Sequence, residues 1–265
     1  MRVVTSQAGA ELHVEIVGRG TCVLVLHGAY SAHQEIQAAL EPILSTQGRY
    51  RRLYPDLPGM GASPAHESIQ SSNDVLDLLG DLIDSEAGDD PFLVVGHSYG
   101  GHLARGIAAR YGQQVAGMAL ICPLMPATMN AAEHVVIGPT DEATRMIDVD
   151  HVDEYTGYFV IHTTETAQRF REAVVPVMGR WDGDAVERVT QRWSLDPDPE
   201  TTPFERPTLV LTGRHDSTVG YRDQTMLLEK YSYATYVAVA DAGHALPHEH
   251  PELLAHLIGF WLGRT

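Results

Sequence analysis

The sequence predicts an α/β fold in which a mostly parallel sheet is covered by helices on both faces. Two observations support this prediction. Short, apolar, β-favouring runs alternate with segments of helical periodicity, and the alternation is interrupted only once, between Pro123 and Thr208. A chain of 265 residues is long enough for one large core domain that carries an inserted segment.

The first predicted strand, residues 11–17, alternates nearly in period two, which is typical of an antiparallel edge strand. The other strands are predicted in the mostly apolar runs 21–26, 50–55, 92–95, 115–122, 208–212 and 235–240. Helices are predicted where apolar residues recur at helical spacing, in 35–44, 75–85, 103–111, 221–230 and 253–262. Most of these helices lie between two strands, and such connections favour parallel strands.

Residues 124–203 show several helical stretches and no clear buried strand, so we interpret them as a helical cap inserted into a core made of residues 1–123 and 204–265. Large apolar side chains in this cap either hold it together or form the roof of a pocket. They are Met125, Met129, Met146, Tyr155, Tyr158, Phe159, Met178, Trp181 and Trp193. The sequence Asp196-Pro197-Asp198-Pro199 predicts an extended strap that leads back to the core.

The charge of the chain argues against nucleic acid as a partner. The formal net charge is −17, and only one of the 18 basic residues is a lysine, so no basic patch or arm is available to neutralise phosphates. The predicted cap holds 15 acidic and 6 basic residues, which either keep a surface solvated or repel polyanionic ligands. The sequence leaves the oligomeric state open.

The N-terminus lacks the apolar core of a signal peptide, and no run approaches the roughly 20 apolar residues of a membrane span. We therefore expect a cytoplasmic protein that does not bind a membrane. Cys22 and Cys122 lie within or beside predicted buried strands. There they are better explained as small apolar side chains than as a disulfide, a metal site or a nucleophile.

Ser98 is the candidate nucleophile. It lies in Gly96-His97-Ser98-Tyr99-Gly100, between a predicted strand and a predicted helix, where the glycines permit the sharp turn called a nucleophile elbow. A serine hydroxyl needs a base, and the base needs a group that orients it. Asp216 and His244 each follow a later predicted strand, so both reach the same edge of the sheet as Ser98. Serine, acid, histidine is the chain order expected for this arrangement.

Other residues compete for two of these roles. Alternative acids that could orient His244 are Asp241, Asp196 and Asp198. The chain has 14 histidines, and we expect most of them to be surface or packing residues. We weigh four of them, His97, His102, His248 and His250, against His244, and we favour His244 as the base.

The negative charge that develops on the carbonyl oxygen of a substrate needs two N–H donors that are already in place. We expect one of them to be the backbone N–H of Tyr99, at the start of the helix after Ser98. The other is expected in the loop after strand 21–26, at the backbone N–H of Ala29. Three roles are open for Tyr30, in the same loop: its hydroxyl adds a further hydrogen-bond donor, its side chain lines the pocket, or it has only a packing role.

Five motifs in this order resemble those of the α/β-hydrolase superfamily, and they span nearly the whole chain outside the cap. They are His27-Gly28, Asp56-Leu57-Pro58-Gly59-Met60-Gly61-Ala62-Ser63, Gly96-His97-Ser98-Tyr99-Gly100-Gly101, Gly213-Arg214-His215-Asp216 and Gly243-His244-Ala245-Leu246-Pro247-His248-Glu249-His250-Pro251. The resemblance implies an eight-stranded sheet, a catalytic triad of Ser98, Asp216 and His244, and neither a metal nor an organic cofactor. Glu249, which resembles an acidic residue of the family near the last helix, is better explained by local capping than by chemistry.

The triad and the resemblance together predict a serine hydrolase that cleaves a carboxylic ester or lactone of a small molecule through an acyl-enzyme on Ser98. Dehalogenases and epoxide hydrolases of the superfamily carry a carboxylate where this chain has a serine, which argues against those two activities. We expect the substrate pocket to include Tyr30, Met125 and Trp181.

Two alternatives remain open. Arg180-Trp181 or Arg192-Trp193 in the cap loosely resembles the carboxylate-binding feature of carbon–carbon bond hydrolases, which would cleave a diketone with the same triad. A small-molecule receptor on the same fold can also retain a triad and bind its ligand without turnover.

Overall fold

The computed structural model describes residues 1–125, 130–138 and 140–265. Its strands are β1 (Arg2–Thr5), β2 (Glu11–Gly18), β3 (Thr21–Leu26), β4 (Tyr50–Pro55), β5 (Phe92–His97), β6 (Val115–Ile121), β7 (Thr208–Gly213) and β8 (Ala234–Val239). They form one eight-stranded sheet in the order β1-β2-β4-β3-β5-β6-β7-β8. The β1–β2 and β2–β4 pairs are antiparallel, and the other pairs are parallel. The predicted α/β fold with a mostly parallel sheet is confirmed.

The α-helices are α1 (His33–Leu44), α2 (Ser72–Glu86), α3 (Tyr99–Tyr111), α4 (Thr140–Arg145), α5 (Val152–Tyr158), α6 (Thr164–Arg169), α7 (Gly183–Thr190), α8 (Leu227–Lys230), α9 (Leu246–Glu249) and α10 (Pro251–Leu262). α1 packs against α10, and α2 packs against α3. Within the described part of the chain, no helix has the length and apolar character needed to cross a membrane.

The strands at the centre of the sheet are buried along their whole length, because helices cover both faces. Every residue of β5 and of β7 is buried. β5 lies between β3 and β6, near the middle of the sheet. Since β3, β5, β7 and β8 are parallel, the loops that follow them meet at one edge, and this edge carries the candidate site.

Two predictions of secondary structure are wrong in detail. β1 was not predicted, because its four residues are largely exposed and give no apolar run. The helix predicted over 221–230 is instead a 3₁₀ turn, Asp223–Met226, followed by the single turn α8. Gln224 and Leu227 are the buried residues of these two turns, so the core covers too little of the segment to stabilise a longer helix.

Residues 124–203, which we call the insertion, pack in two different ways. The middle of the insertion has its own apolar cluster, which includes Tyr155, Phe159 and Phe170. In contrast, Val189 and Leu195 near its end belong to the main core under the sheet. The return of the chain is therefore anchored in the main core, and the middle of the insertion packs on a second cluster that also includes Ala245.

Substitution of two helical glycines by alanine would test how tightly α3 packs on the sheet. A Cβ atom on Gly100 would lie 2.4 Å from the carbonyl oxygen of Leu26, a backbone atom that cannot rotate away. A Cβ atom on Gly259, in α10, meets no described atom within 4 Å. We expect Gly100→Ala to lower the free energy of unfolding by about 1–3 kcal/mol. The control Gly259→Ala should raise it by up to about 1 kcal/mol. Urea unfolding measures both, and a neutral Gly100→Ala would contradict this docking.

Candidate active site

Ser98 lies at a strained turn between β5 and α3. Its φ of 54° and ψ of −118° fall in a region that residues with a side chain rarely adopt. Its N–H donates to the carbonyl of Ile121 and its own carbonyl accepts from the N–H of Leu124, both at 3.0 Å. A Cβ atom on Gly96 would lie 2.2 Å from the carbonyl oxygen of Gly100, so the turn requires glycine there. The geometry is that of the predicted elbow.

The structure brings Ser98, His244 and Asp216 together in one hydrogen-bonded row. Oγ of Ser98 lies 2.9 Å from Nε2 of His244, and Nδ1 of His244 lies 2.8 Å from Oδ2 of Asp216. A carboxylate can only accept, so Nδ1 donates to it and Nε2 is left to accept the hydroxyl hydrogen. The other carboxylate oxygen accepts the N–H groups of Thr218 and Val219, each at 2.9 Å, which fixes the acid in place.

The competing acids lie elsewhere. All three of these acids, Asp241, Asp196 and Asp198, are exposed. Asp241 faces Nε2 of His250 at 3.3 Å, and Asp198 accepts the backbone N–H of Glu200 at 2.8 Å. Among the four acids considered from the sequence, Asp216 is the one that reaches His244.

Charges and burial shift the pKa values of the residues in and beside this hydrogen-bonded row. Burial alone would lower the pKa of His244, but the charge and hydrogen bond of Asp216 outweigh it and hold this pKa above its ordinary value of 6.5. Burial would raise the pKa of Asp216, whereas His244 and the two backbone N–H donors bring it below 3.8. His97 donates from Nε2 to the carbonyl of His244 at 3.1 Å. Burial lowers the pKa of His97 to about 4, so this ring stays neutral near pH 7.

The two expected oxyanion donors approach Ser98 from different segments. Tyr99 is the first residue of α3, and the first N–H groups of a helix have no acceptor within it. Ala29 lines the cavity beside Ser98. A Cβ atom on its neighbour Gly28 would lie 3.2 Å from Cβ of Ser98, so the loop passes close to the serine. His27 holds this loop, because Nδ1 donates to the carbonyl of Gly28 at 2.7 Å while Nε2 accepts a backbone N–H at 2.9 Å.

A cavity of about 600 Å³ borders Ser98 and His244. This volume is within the range of small-molecule sites. Apolar lining side chains are Leu124, Phe170, Val174, Met178, Trp181 and Trp193. Tyr30 also lines the cavity, and its ring packs edge to face on Trp181 with centroids 6.0 Å apart. Tyr30 and Trp181 thus lie where the sequence placed them.

Met125 does not line this cavity, contrary to the prediction. Met125 and its neighbour Leu124 both belong to the main core, but of the two it is Leu124 that also lines the cavity. Met129, which the sequence placed among the large apolar residues of the cap, lies outside the described residues.

The charged residues that line the cavity are acidic. They are Glu35, Asp153 and Glu154, and within the described part of the chain no lysine or arginine lines it. Arg180 and Arg192 are exposed, and only their tryptophan neighbours reach the cavity. The cavity therefore disfavours a carboxylate on the ligand.

Glu35 is a feature of the site that the sequence analysis missed. It belongs to α1, on the face that buries Ile36, Ala39 and Leu40, and it is only 8% exposed. A glutamate on the apolar face of an amphipathic helix is the signal that could have identified it. Its carboxylate accepts the hydroxyl of Tyr158, in the insertion, at 2.8 Å.

Glu249 does not cap a helix locally, so that expectation is wrong. Its buried carboxylate accepts the backbone N–H groups of Val160 at 2.5 Å and Ile161 at 3.2 Å. The other oxygen accepts the N–H of Gly243 at 2.7 Å. Glu249 therefore joins the insertion to the residue that precedes His244.

Among the residues that the structure describes, His97, Cys122 and His244 could offer ligand atoms to a metal ion, since these atoms lie within 4.8 Å of one another. The ring nitrogens of His244 are already engaged in the hydrogen-bonded row. Burial raises the pKa of the Cys122 thiol well above 9.0, and a neutral thiol is a poor metal ligand. Hydrogen bonding explains this cluster better than metal binding does.

Residues 23–257 match the model of the alpha/beta hydrolase family, so the chain belongs to this family. It is 24% identical over 277 residues to a pimeloyl-[acyl-carrier protein] methyl ester esterase of Shewanella woodyi, with 96% of this chain and 99% of that protein covered. It is 37% identical over 106 residues to an epoxide hydrolase 2 of Siraitia grosvenorii. That second alignment covers 37% of this chain and 31% of the relative, so the chain spans about a third of the epoxide hydrolase.

A solved structure shares the fold over the whole length. The crystal structure of an alpha/beta superfamily hydrolase from Oenococcus oeni PSU-1 is similar with a TM-score of 0.86 and 25% sequence identity, and the comparison covers 100% of this chain and 99% of that one. The resemblance seen in the five sequence motifs is therefore confirmed at the level of family and fold.

The pKa of His244 predicts how the reactivity of Ser98 depends on pH. Only the neutral imidazole can accept the serine proton, and its pKa lies above 6.5. The rate at which a fluorophosphonate labels Ser98 should therefore rise with pH through a midpoint above 6.5. Asp216→Asn removes the charge that raises this pKa and leaves the burial that lowers it. We expect its midpoint to fall and its plateau to drop by about 10³–10⁴-fold.

Asp241→Asn is the matched control, because Asp241 is exposed and contacts His250 instead. It should leave the midpoint and the plateau as in the original protein. Labelling is followed by intact mass at each pH. A midpoint of the original protein below 6.5, or an equal effect of the two substitutions, would contradict the assigned role of Asp216.

Proposed function

We propose that this protein is a serine hydrolase that cleaves a carboxylic ester or lactone of a small molecule through an acyl-enzyme on Ser98. The observation that carries the proposal is the hydrogen-bonded row beside the cavity. Oγ of Ser98 is 2.9 Å from Nε2 of His244, and Nδ1 is 2.8 Å from Oδ2 of Asp216. The full-length similarity to a protein named as a methyl ester esterase also supports an ester substrate.

In the first half of the proposed reaction, Oγ of Ser98 attacks the carbonyl carbon while its proton moves to Nε2 of His244. The carbonyl oxygen becomes an oxyanion, and we assign its donors to the backbone N–H groups of Tyr99 and Ala29. Asp216 stabilises the imidazolium ion that has formed. His244 then gives the proton to the leaving oxygen, and the carbon–oxygen bond of the ester breaks.

In the second half, a water molecule attacks the acyl-enzyme. His244 takes a proton from this water, and the same two N–H groups stabilise the second oxyanion. The bond between the acyl carbon and Oγ of Ser98 then breaks, and the proton on His244 passes to Oγ. The acid product leaves, and the resting hydrogen-bonded row is restored.

The proposed core, residues 1–123 and 204–265, supplies these reacting groups, and the insertion supplies most of the apolar cavity wall. The cavity of about 600 Å³ is within the size range of small-molecule sites. The apolar wall favours an apolar acyl group.

The residues that line the same cavity also bear on the two alternative functions, a carbon–carbon bond hydrolase and a receptor. A carbon–carbon bond hydrolase that recognises a substrate carboxylate through Arg180 or Arg192 is disfavoured, because both arginines are exposed and neither lines the cavity. A receptor fits the cavity as well as an enzyme does. Absence of a reaction at Ser98 together with ligand binding would favour the receptor, and Ser98-dependent turnover of an ester would favour the hydrolase.

The first test compares Ser98→Ala with the original protein. A fluorophosphonate should add a single adduct to the original protein and none to Ser98→Ala, and turnover of p-nitrophenyl butyrate should fall by several orders of magnitude. Ser85→Ala is the control, because Ser85 is exposed near the end of α2 and its hydroxyl donates to the carbonyl of Leu82 in the same helix. Intact mass and release of p-nitrophenol are the measurements. Unchanged ester turnover in Ser98→Ala would refute the mechanism.

The second test uses the charge of the cavity. A p-nitrophenyl ester whose acyl chain ends in a carboxylate should react with a kcat/KM at least about tenfold below that of its neutral methyl ester, because Glu35, Asp153 and Glu154 repel the anion. Arg180→Ala and Arg192→Ala should leave this ratio unchanged. A preference for the carboxylate that either substitution removes would instead support the carbon–carbon hydrolase.

A further inference from the structure

One buried carboxylate beside the cavity has no role in the mechanism above. Glu35 is 8% exposed and lines the cavity from α1. Its Oε1 accepts the hydroxyl of Tyr158 at 2.8 Å and lies 3.5 Å from Nε2 of His248. Its Oε2 accepts the hydroxyl of Ser31. Each carboxylate oxygen is thus in contact with a neighbouring polar group.

The partners of Glu35 belong to three segments that surround the reaction centre. Ser31 follows the loop that carries Ala29, the expected oxyanion donor. Tyr158 ends α5 in the insertion, and its ring lies edge to face on the ring of His244 with centroids 6.2 Å apart. His248 lies in α9, directly after the His244 loop. Glu35 thus connects all three segments to α1.

The connection is made by a charged group. Burial would raise the pKa of Glu35, but the proximity of His248 and the hydrogen bond of Ser31 outweigh it and bring this pKa to about 2. An apolar residue would fit this face of α1 without the desolvation cost of a buried carboxylate. Removing the partners of a buried charge is costly, so the three contacts hold one another in place.

We propose that Glu35 is a positioning residue that fixes residues 27–32, which we call the oxyanion loop, and the insertion against the His244 loop, residues 240–245. This inference rests on the proposed serine hydrolase function. Ser31 holds the loop of Ala29 so that its N–H group points to the oxyanion, and Tyr158 keeps the cavity wall in place above His244. The first contact acts in the transition state, and the second acts in substrate binding.

These two contacts predict different kinetic effects. Misplacing one oxyanion donor lowers kcat, and complete loss of such a donor costs about 10²–10³-fold. Loosening the wall around the acyl group raises KM, because it weakens binding of the substrate and transition state alike. Glu249 still ties the insertion to Gly243 when Glu35 is replaced, so the variants should retain the fold.

The experiment compares Glu35→Leu and Glu35→Gln. Leucine removes every polar contact, and we expect kcat for p-nitrophenyl butyrate and the rate of Ser98 phosphonylation to fall by about 10–100-fold. Glutamine can still accept the Tyr158 hydroxyl and can donate to Ser31, so it should recover most of the rate. The control is Glu252→Gln, since Glu252 is exposed on α10. It should behave as the original protein does.

Two single variants separate the contacts. Ser31→Ala should lower kcat and the phosphonylation rate by about tenfold with little change in KM. Tyr158→Phe should raise KM more than it lowers kcat. These two variants also decide the matter if Glu35→Leu does not fold, because each removes one hydroxyl group and leaves the other contacts of Glu35 in place.

Thermal unfolding of each variant gives the folded fraction, to which the rates are normalised. Normal kcat and phosphonylation per folded molecule in Glu35→Leu, or in Ser31→Ala where that variant must decide, would overturn the positioning role. A merely structural residue would lower only the unfolding temperature. Failure of the proposed function looks different, because the original protein itself would then neither take up the phosphonate on Ser98 nor cleave the ester.

Discussion

The position of the His244 ring is the constraint on which the site depends. Its two nitrogens must meet Asp216 and Ser98 at once, at 2.8 and 2.9 Å, and each of these three residues follows a different strand. A parallel sheet makes this possible because β5, β7 and β8 end at the same edge. The carboxylate of Glu249 also helps to hold His244 in position, since it accepts the N–H of Gly243, the residue directly before the histidine.

Backbone strain is concentrated at the same edge. Among the described residues, those other than glycine with positive φ are Tyr30, Ser98 and Cys122, at 56°, 54° and 43°. Tyr30 and Ser98 line the cavity, and Cys122 follows the strand beside Ser98. Such conformations cost of order 1–3 kcal/mol each and persist only where the surroundings determine them. Here the fully buried strands and the close docking of α3 supply that support.

The triad could be predicted from the sequence because each member lies within a short motif next to a strand, so local pattern and chain order were sufficient. Glu249 and Glu35 could not be assigned in this way. Glu249 bonds the N–H of Val160, which is 89 residues away, and only the fold brings the two together. Leu124 lines the cavity and Met125 does not, although both are buried in the main core, and composition does not determine which of the two reaches the cavity. The three residues of the hydrogen-bonded row were thus easier to predict than the residues that hold them.

The acidic lining raises an electrostatic question, because the proposed reaction forms an imidazolium ion and an oxyanion in one cavity. Ionised Asp216 and Glu35 both favour the imidazolium form of His244. They oppose the oxyanion, but Glu35 is engaged by hydrogen bonds, whereas the oxyanion would contact its own N–H donors directly. Coulomb energy falls with distance, so attraction at hydrogen-bond length outweighs repulsion from a more distant carboxylate. Such a site can stabilise both charges only while the oxyanion loop is held in place, which gives the contact between Glu35 and Ser31 its significance.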